Sequence, residues 1–380
     1  MKLTAKTLYG LESVLAAELP ELGAAETEIL NRAVTFTGSL ETMYRVNYCS
    51  RTALSVLMPV GEFMISSAGD LYREALKIGW HEFMNEDDTF SVVPVVKSKL
   101  FRHSGYPGLV LKDAIADYFR HRSGRRPSVD PLDPVMIINL HISSSRVTVS
   151  LDSTGEPLFK RGYRAFQGPA PLNEILAAGI IRLSGWNGSA PLLDPMCGSG
   201  TIPIEAGLIA CKIPPGKFRK KYAFAGWKNY DPELFDRIKR EAEGKIVKPD
   251  TVIMAGDVSA KAIAWCRINA GNAGLSGLVK TEVADFTNSA SGFSNGFIFI
   301  NPPYGKRIAA RDSENIYGMI GTVLKNKYYG NRAWVLAPDR ASLGKIGLRA
   351  EKKLKLFNGA IECILGAYDL YEGSGKKRDR

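Results

Sequence analysis

Apolar positions recur along the chain at two periods, and the switches between them mark its organisation. Leu11, Val14, Leu15, Leu19 and Leu22 fall three or four residues apart, which predicts a helix over 10–22. Short extended runs flank it at 5–9, 28–30 and 33–36. Leu40, Met43, Tyr44 and Val46 return to the helical period. Residues 53–60 then alternate as a strand, which Pro59 is expected to break because it has no N–H for a ladder.

Strand, helix, strand, strand, helix, strand is the order of a ferredoxin-like unit, here 1–60. Residues 61–160 read as a second α+β unit. A helix is predicted over 69–79 and a β-branched strand over 89–96. An amphipathic helix follows over 108–121, with Val110, Leu111, Ile115 and Phe119 on one face. Strands at 135–141 and 146–151 flank the turn Ser143-Ser144-Ser145 and form a hairpin. From Pro171 onward, short buried strands (191–194, 251–255, 278–284, 296–300, 332–336) alternate with helices (172–184, 202–211, 260–270, 316–327). That alternation predicts a doubly wound parallel sheet over 161–380. Asn358-Gly359 turns a final hairpin that adds an antiparallel edge. The stretch 212–248 interrupts the second β-α-β unit as an insertion.

Composition narrows the class. Hydrophobic residues make up 45% and charged residues 23% of 380 residues, ordinary values for a globular protein. No apolar run approaches the ~20 residues of a membrane span. The first residues, Met1-Lys2-Leu3-Thr4-Ala5-Lys6, lack a signal-peptide core, so a cytoplasmic protein with no membrane partner is expected. Five scattered cysteines without a C-x-x-C pair predict neither a disulfide framework nor a zinc site.

The charge is uneven. Residues 161–380 hold 33 Lys and Arg against 20 Asp and Glu, whereas residues 1–160 hold 17 against 19. Within the first half, Lys97, Lys99, Arg102, Lys112, Arg120, Arg122, Arg125 and Arg126 face only Asp113 and Asp117. In the insertion, Lys217, Arg219, Lys220 and Lys221 interleave with Phe218, Tyr222, Phe224 and Trp227. Two separate basic regions predict a polyanionic partner, most often nucleic acid, with the insertion's aromatics available to unpaired bases or to their own packing.

Candidate chemistry gathers at strand ends. Asn301-Pro302-Pro303-Tyr304-Gly305 directly follows the apolar run 296–300. The Asn301 side-chain oxygen and the Pro302 carbonyl are acceptors, and Tyr304 offers a flat face. Such a pocket suits a planar group bearing an NH2, a nucleobase or an amide. Asp194-Pro195-Met196-Cys197-Gly198-Ser199-Gly200-Thr201 sits between a strand and a helix, where glycines admit a ligand close to the backbone. Pro203 takes the place of the third glycine of a dinucleotide fingerprint, and no Walker lysine follows. Asp257 and Asp285 close two further strands, placed to accept from ribose hydroxyls and from an adenine amine with Phe286 on the ring. All four histidines (His81, His103, His121, His141) lie in the first half, which excludes a histidine-based hydrolase in the second.

These residues, with Arg161-Gly162-Tyr163-Arg164 and Ala170-Pro171-Leu172-Asn173-Glu174, resemble the THUMP-domain RNA guanine-N2 methyltransferases of the RlmL type. The resemblance implies a ferredoxin-like start, a THUMP RNA-binding domain over 61–160 and a seven-stranded Rossmann-like class I methyltransferase domain. It implies S-adenosylmethionine as cofactor. Pro171, Leu172, Asn173, Asp194, Met196, Cys197, Gly198, Gly200, Thr201, Asp257, Asp285, Phe286 and Asn301 would surround it. Asn301, Pro302, Pro303 and Tyr304 would hold the base. Asn-Pro-Pro-Tyr is shared with adenine and glutamine methylators, so adenine N6, a transfer-RNA guanosine, or an assembly factor with a vestigial site stand as alternatives. Longer members continue into a second methyltransferase domain; with Arg380 as the last residue, that activity is not expected.

Overall fold

The structure is a computed structural model that describes residues 1–169, 171–289, 292–303 and 310–372. Its contacts divide the chain into two compact units. The first comprises Met1–Thr7, Ala16–Leu158 and Arg219–Arg240; the second comprises Leu8–Leu15, Phe159–Phe218 and the chain from Glu241 on.

The first unit is built on one eight-stranded sheet. Strands β1 (Lys2–Lys6), β2 (Ala25–Leu30), β3 (Ala33–Thr37), β4 (Ser55–Met64), β5 (Thr89–Lys97), β6 (Ser128–Val129), β7 (Met136–Ser143) and β8 (Arg146–Asp152) take the order β2-β3-β1-β4-β8-β7-β5-β6. The expected break at Pro59 does not occur. The β4–β8 register shifts between Pro59 and Gly61, so a bulge absorbs the missing N–H and β4 runs on to Met64. The strands of 1–60 and 61–160 therefore share a continuous ladder.

Helix α1 (Glu12–Glu18) is shorter than predicted, because Pro20 starts a separate 3-10 turn ending at Gly23, φ 88°. Helix α2 (Leu40–Cys49) starts at a capping box, in which the Ser39 hydroxyl accepts from the Thr42 N–H and the Thr42 hydroxyl accepts from the Ser39 N–H. Helices α3 (Ala68–Leu76) and α4 (Tyr106–Ser123) complete the described helices of the 61–160 segment.

The insertion joins this unit in a way the charge pattern does not suggest. Tyr222, Phe224, Trp227 and Phe235 are buried. Phe224 and Phe235 pack on Tyr44 of α2, with ring centroids 4.4 and 5.6 Å apart. Its aromatics are therefore core, not a base-stacking surface, and helix α7 (Pro232–Glu243) lies where no helix is predicted. The Arg219 guanidinium donates to the carbonyls of Glu156 and Pro157. The other cations lie outside: Lys217, Lys220 and Lys221 are exposed, as are Lys97, Lys99, Arg102, Arg120, Arg122, Arg125 and Arg126.

The second unit is a seven-stranded sheet in the order β11-β10-β9-β12-β13-β15-β14. Its strands are β9 (Leu192–Asp194), β10 (Ile253–Asp257), β11 (Val279–Val283), β12 (Phe297–Ile300), β13 (Arg332–Ala337), β14 (Lys352–Asn358) and β15 (Ile361–Asp369). The first five of that order run parallel, and β15 pairs antiparallel with both β13 and β14. Helices α5 (Glu174–Leu183), α6 (Thr201–Ala210), α8 (Ala260–Asn272), α9 (Ala310–Lys327) and α10 (Arg340–Gly344) belong here. Ile298, Ile300 and Val335 pack with Tyr317, Ile320 and Leu324 of α9 in a fully buried cluster. No described helix is long and apolar enough to cross a membrane.

The chain steps from β9 outward to β10 and β11, then returns to place β12 on the other side of β9. That reversal opens a crevice at the carboxyl ends of the strands, the ligand site of open α/β sheets.

Candidate active site

The carboxyl ends of four neighbouring strands carry the candidate chemistry. Asp194 and Asp257 end β9 and β10, Asp285 lies two residues past β11, and Asn301 immediately follows β12. They line one cavity of 470 Å3, a size suited to a nucleoside-bearing ligand. Pro171, Leu172, Met196, Cys197, Gly198, Thr201, Phe286 and Pro303 line it too.

Three candidates lie elsewhere. Asn173 caps α5, its Oδ1 accepting from the Ile175 and Leu176 N–H groups. Gly200 faces α8, where a Cβ would come 2.5 Å from Cys266 Sγ; its φ of 89° also favours glycine. Pro302 is buried and does not line the cavity. Tyr304 and Gly305 lie outside the described residues.

The glycine-rich turn is shaped by the acids. Gly198 N–H donates to Asp257 Oδ2 at 2.9 Å, and Ser259 N–H donates to Oδ1 at 2.8 Å. Asp194 is 2% exposed and accepts from Met196 N–H at 3.2 Å. Burial drives its carboxyl well above the usual carboxylate range, and the charge of Asp257 adds to the rise. Asp285 behaves oppositely. It is exposed, and the N–H and hydroxyl of Thr287, both 2.8 Å from Oδ1, hold its carboxyl below the ordinary value. Asn301 Oδ1 is buried and has no hydrogen-bond partner among the described residues.

Residues to which the sequence reading gave no site role hold this turn in place. The Arg164 guanidinium donates to Thr201 Oγ1 at 2.9 Å, Ser199 Oγ at 3.2 Å, Leu172 O at 3.4 Å and the Glu174 carboxylate at 2.7 Å. The fully buried Asn269 of α8 donates to Ser199 O at 3.0 Å. Beneath them, Arg161 pairs with Glu205 at 3.4 Å, and Tyr163 hydroxyl donates to the same carboxylate at 3.0 Å. Arg164 stands in a motif with a visible charge signal, whereas Asn269 carried none. Ile316 and Met319 of α9 also line the cavity, and their helical spacing reads only as core.

Comparison with known proteins agrees with this arrangement. The pattern of the RMKL-like methyltransferase domain matches residues 161–367, that of the RlmL ferredoxin-like domain residues 2–57, and that of the THUMP domain residues 66–152. The chain belongs to the RMKL-like methyltransferase family. A Synechocystis sp. protein carrying the name of an RNA methyltransferase is 37% identical over 366 residues, 95% of each chain. The ribosomal RNA large subunit methyltransferase K/L of Syntrophotalea carbinolica is 38% identical over 98% of this chain. The chain spans about half of that enzyme, 54% of its length. Among solved structures, SMU.472 in complex with SAH superposes with a TM-score of 0.87 at 29% identity, covering 98% of this chain and 99% of that one.

The cavity fits the cofactor of such a methyltransferase. Buried Asp194, once ionised, would be a counter-charge for a cationic amino acid moiety, and the Asp257 carboxylate would accept from hydroxyls. Asp285 Oδ2 is open to an amine, and buried Phe286 adjoins it as an apolar wall.

Proposed function

We propose that this chain transfers a methyl group from S-adenosylmethionine to the exocyclic N2 of a guanosine in RNA, with large-subunit ribosomal RNA as the substrate class. The observation that carries the reading is Asn301 Oδ1, a buried acceptor without a partner among the described residues, in the cavity that three strand-end acids also line. A buried carbonyl oxygen left unpaired costs about 1–3 kcal/mol, which a substrate N–H recovers.

When bound, the cofactor supplies an electrophilic methyl group. The protein's part is to position and polarise. Asn301 Oδ1 accepts from an N2–H, which localises the nitrogen lone pair otherwise spread into the ring. The base leaves its stack to reach the pocket. No strong base is required before attack, because the alkylated nitrogen is itself acidic, so alignment supplies much of the rate. The ribosomal substrate rests on the K/L relative named above, the guanine assignment on the resemblance of the sequence motifs, and the RNA reading also on the exposed arginines of the THUMP segment.

The test is methylation of total RNA from a strain lacking the gene, followed by nucleoside analysis. N2-methylguanosine in large-subunit RNA is expected; N6-methyladenosine in its place would overturn the assignment.

A further inference from the structure

The outer face of α8 carries a set of groups that methyl transfer does not use. Lys261, Trp265 and Ile268 fall at i, i+4 and i+7 and form one stripe. Lys261 is exposed and Ile268 is 43% exposed. Lys261 Nζ stands 5.0 Å from the Trp265 ring centroid. The ring of Phe166, 44% exposed, lies parallel to that of Trp265, with 2° between planes and 6.4 Å between centroids. The helix contains Lys261 and Arg267 and no carboxylate.

This pair, with Phe166 exposed and Trp265 half-buried, rests on a rigid base. Asn269 lies one turn beyond Trp265 and is fully buried. Its Oδ1 accepts from the N–H groups of Ala165 at 2.8 Å and Phe166 at 3.2 Å. Its Nδ2 donates to Phe166 O at 2.8 Å and to Ser199 O at 3.0 Å. One buried amide thus holds both the backbone under Phe166 and the cofactor turn. Two and three residues past Phe166, Gly168 and Pro169 form part of the cavity wall.

Two parallel rings, one exposed and one half-buried, with a cation over one of them and no acid on the helix, match a base and its phosphate better than a protein surface. The geometry points to a nucleobase-stacking platform, formed by Phe166 and Trp265 with Lys261 as the phosphate contact, that takes an unpaired RNA base flanking the one methylated. The inference rests on the RNA reading above but not on which nitrogen is methylated.

The experiment measures binding of a short unstructured fluorescent RNA to the full chain by anisotropy, beside calorimetric titration with S-adenosylhomocysteine. Trp265→Ala and Phe166→Ala should each weaken RNA binding by about 5- to 100-fold, the worth of one stacked base. Trp265→Phe should stay within about threefold of the parent. Affinity for S-adenosylhomocysteine and for heparin, a polyanion without bases, should not change. Unchanged RNA affinity in both alanine variants would overturn the platform, as would a parallel loss of cofactor or heparin binding. A parent chain whose RNA binding depends on Trp265 but which makes no N2-methylguanosine would reject the guanine assignment and keep the platform. A parent chain that neither binds nor methylates RNA would reject both.

Discussion

The guanidinium of Arg164 donates to Thr201 Oγ1 at 2.9 Å while its Nε donates to Glu174 at 2.7 Å, so one side chain ties the first turn of α6 to that of α5. Both ends of this tie border the cofactor cavity through Leu172 and Thr201. The pair is well sheltered, with side chains 12% and 8% exposed.

Removing Arg164 should therefore have two separable effects. Burial raises the Glu174 carboxyl and the Arg164 charge opposes that rise, so Arg164→Met leaves a buried acid uncompensated. A loss of about 3–5 kcal/mol in denaturant unfolding is expected. Adding Glu174→Gln should restore most of that stability but not cofactor affinity, because Ser199 and Thr201 remain untied. Full recovery of S-adenosylhomocysteine binding in the double variant would show that Arg164 has no positioning role.

Asp194 predicts opposite pH trends for stability and binding. Its carboxyl holds a proton more tightly in the folded chain than at the ordinary value of 3.8. The stability it contributes is therefore complete below that ordinary value and is lost as pH rises through the raised one. A cationic ligand favours the ionised form, so cofactor affinity should rise over the same interval. Asp194→Asn keeps the acceptor for Met196 N–H and removes the titration. Without cofactor, the variant should gain stability over the parent as pH increases, while its affinity for S-adenosylhomocysteine falls by roughly tenfold or more and becomes flat with pH. Identical pH profiles for the two proteins would contradict this account of Asp194.

Much of this site was legible in the sequence because an apolar run followed at once by Asp or Asn is a local signal, and the sheet order then collects such ends without further instruction. Asp194, Asp257, Asp285 and Asn301 were found in that way. Arg164 and Asn269 act on partners such as Thr201 and Phe166, 37 and 103 residues away, and most of their bonds go to backbone or hydroxyl groups that carry no pattern. The fold shows the same division. Alternation placed the strands, but Pro59 read as a break because its bulge depends on β8. The role of the insertion's aromatics stayed open between base contact and packing because their partner, Tyr44, lies far back in the chain. Two-residue β6 is too short to have a period at all.

Asn301 separates catalysis from binding. The residue lines the cavity, yet its Oδ1 has no described partner, so its removal leaves the apo structure with no broken hydrogen bond at that atom. Asn301→Ala should cut methyl transfer by about 100- to 1000-fold or more, in line with the loss of one preorganised polar group. Thermal stability and S-adenosylhomocysteine affinity should stay close to those of the parent. Single-turnover assays with labelled cofactor measure the first quantity, and calorimetry the second. Retained transfer would remove Asn301 from the reaction.

The arginines at the carboxyl end of α4 and just beyond it make the RNA reading quantitative. Arg122, Arg125 and Arg126 are exposed, and Arg125 also pairs with exposed Asp87 across the surface. Such a pair is worth little to the fold, so reversing these charges should leave stability within about 1 kcal/mol of the parent. Pairing of arginine with phosphate, by comparison, shows in the salt dependence of binding. On a single strand, each phosphate left without its cation makes the slope of log affinity against log salt shallower by about 0.7. The triple variant Arg122→Glu, Arg125→Glu, Arg126→Glu should therefore bind RNA more weakly and with a slope shallower by about 2 if all three meet phosphates. The decisive comparison is the slope itself: an unchanged slope at several salt concentrations would place the RNA path away from this end of α4, even if affinity fell.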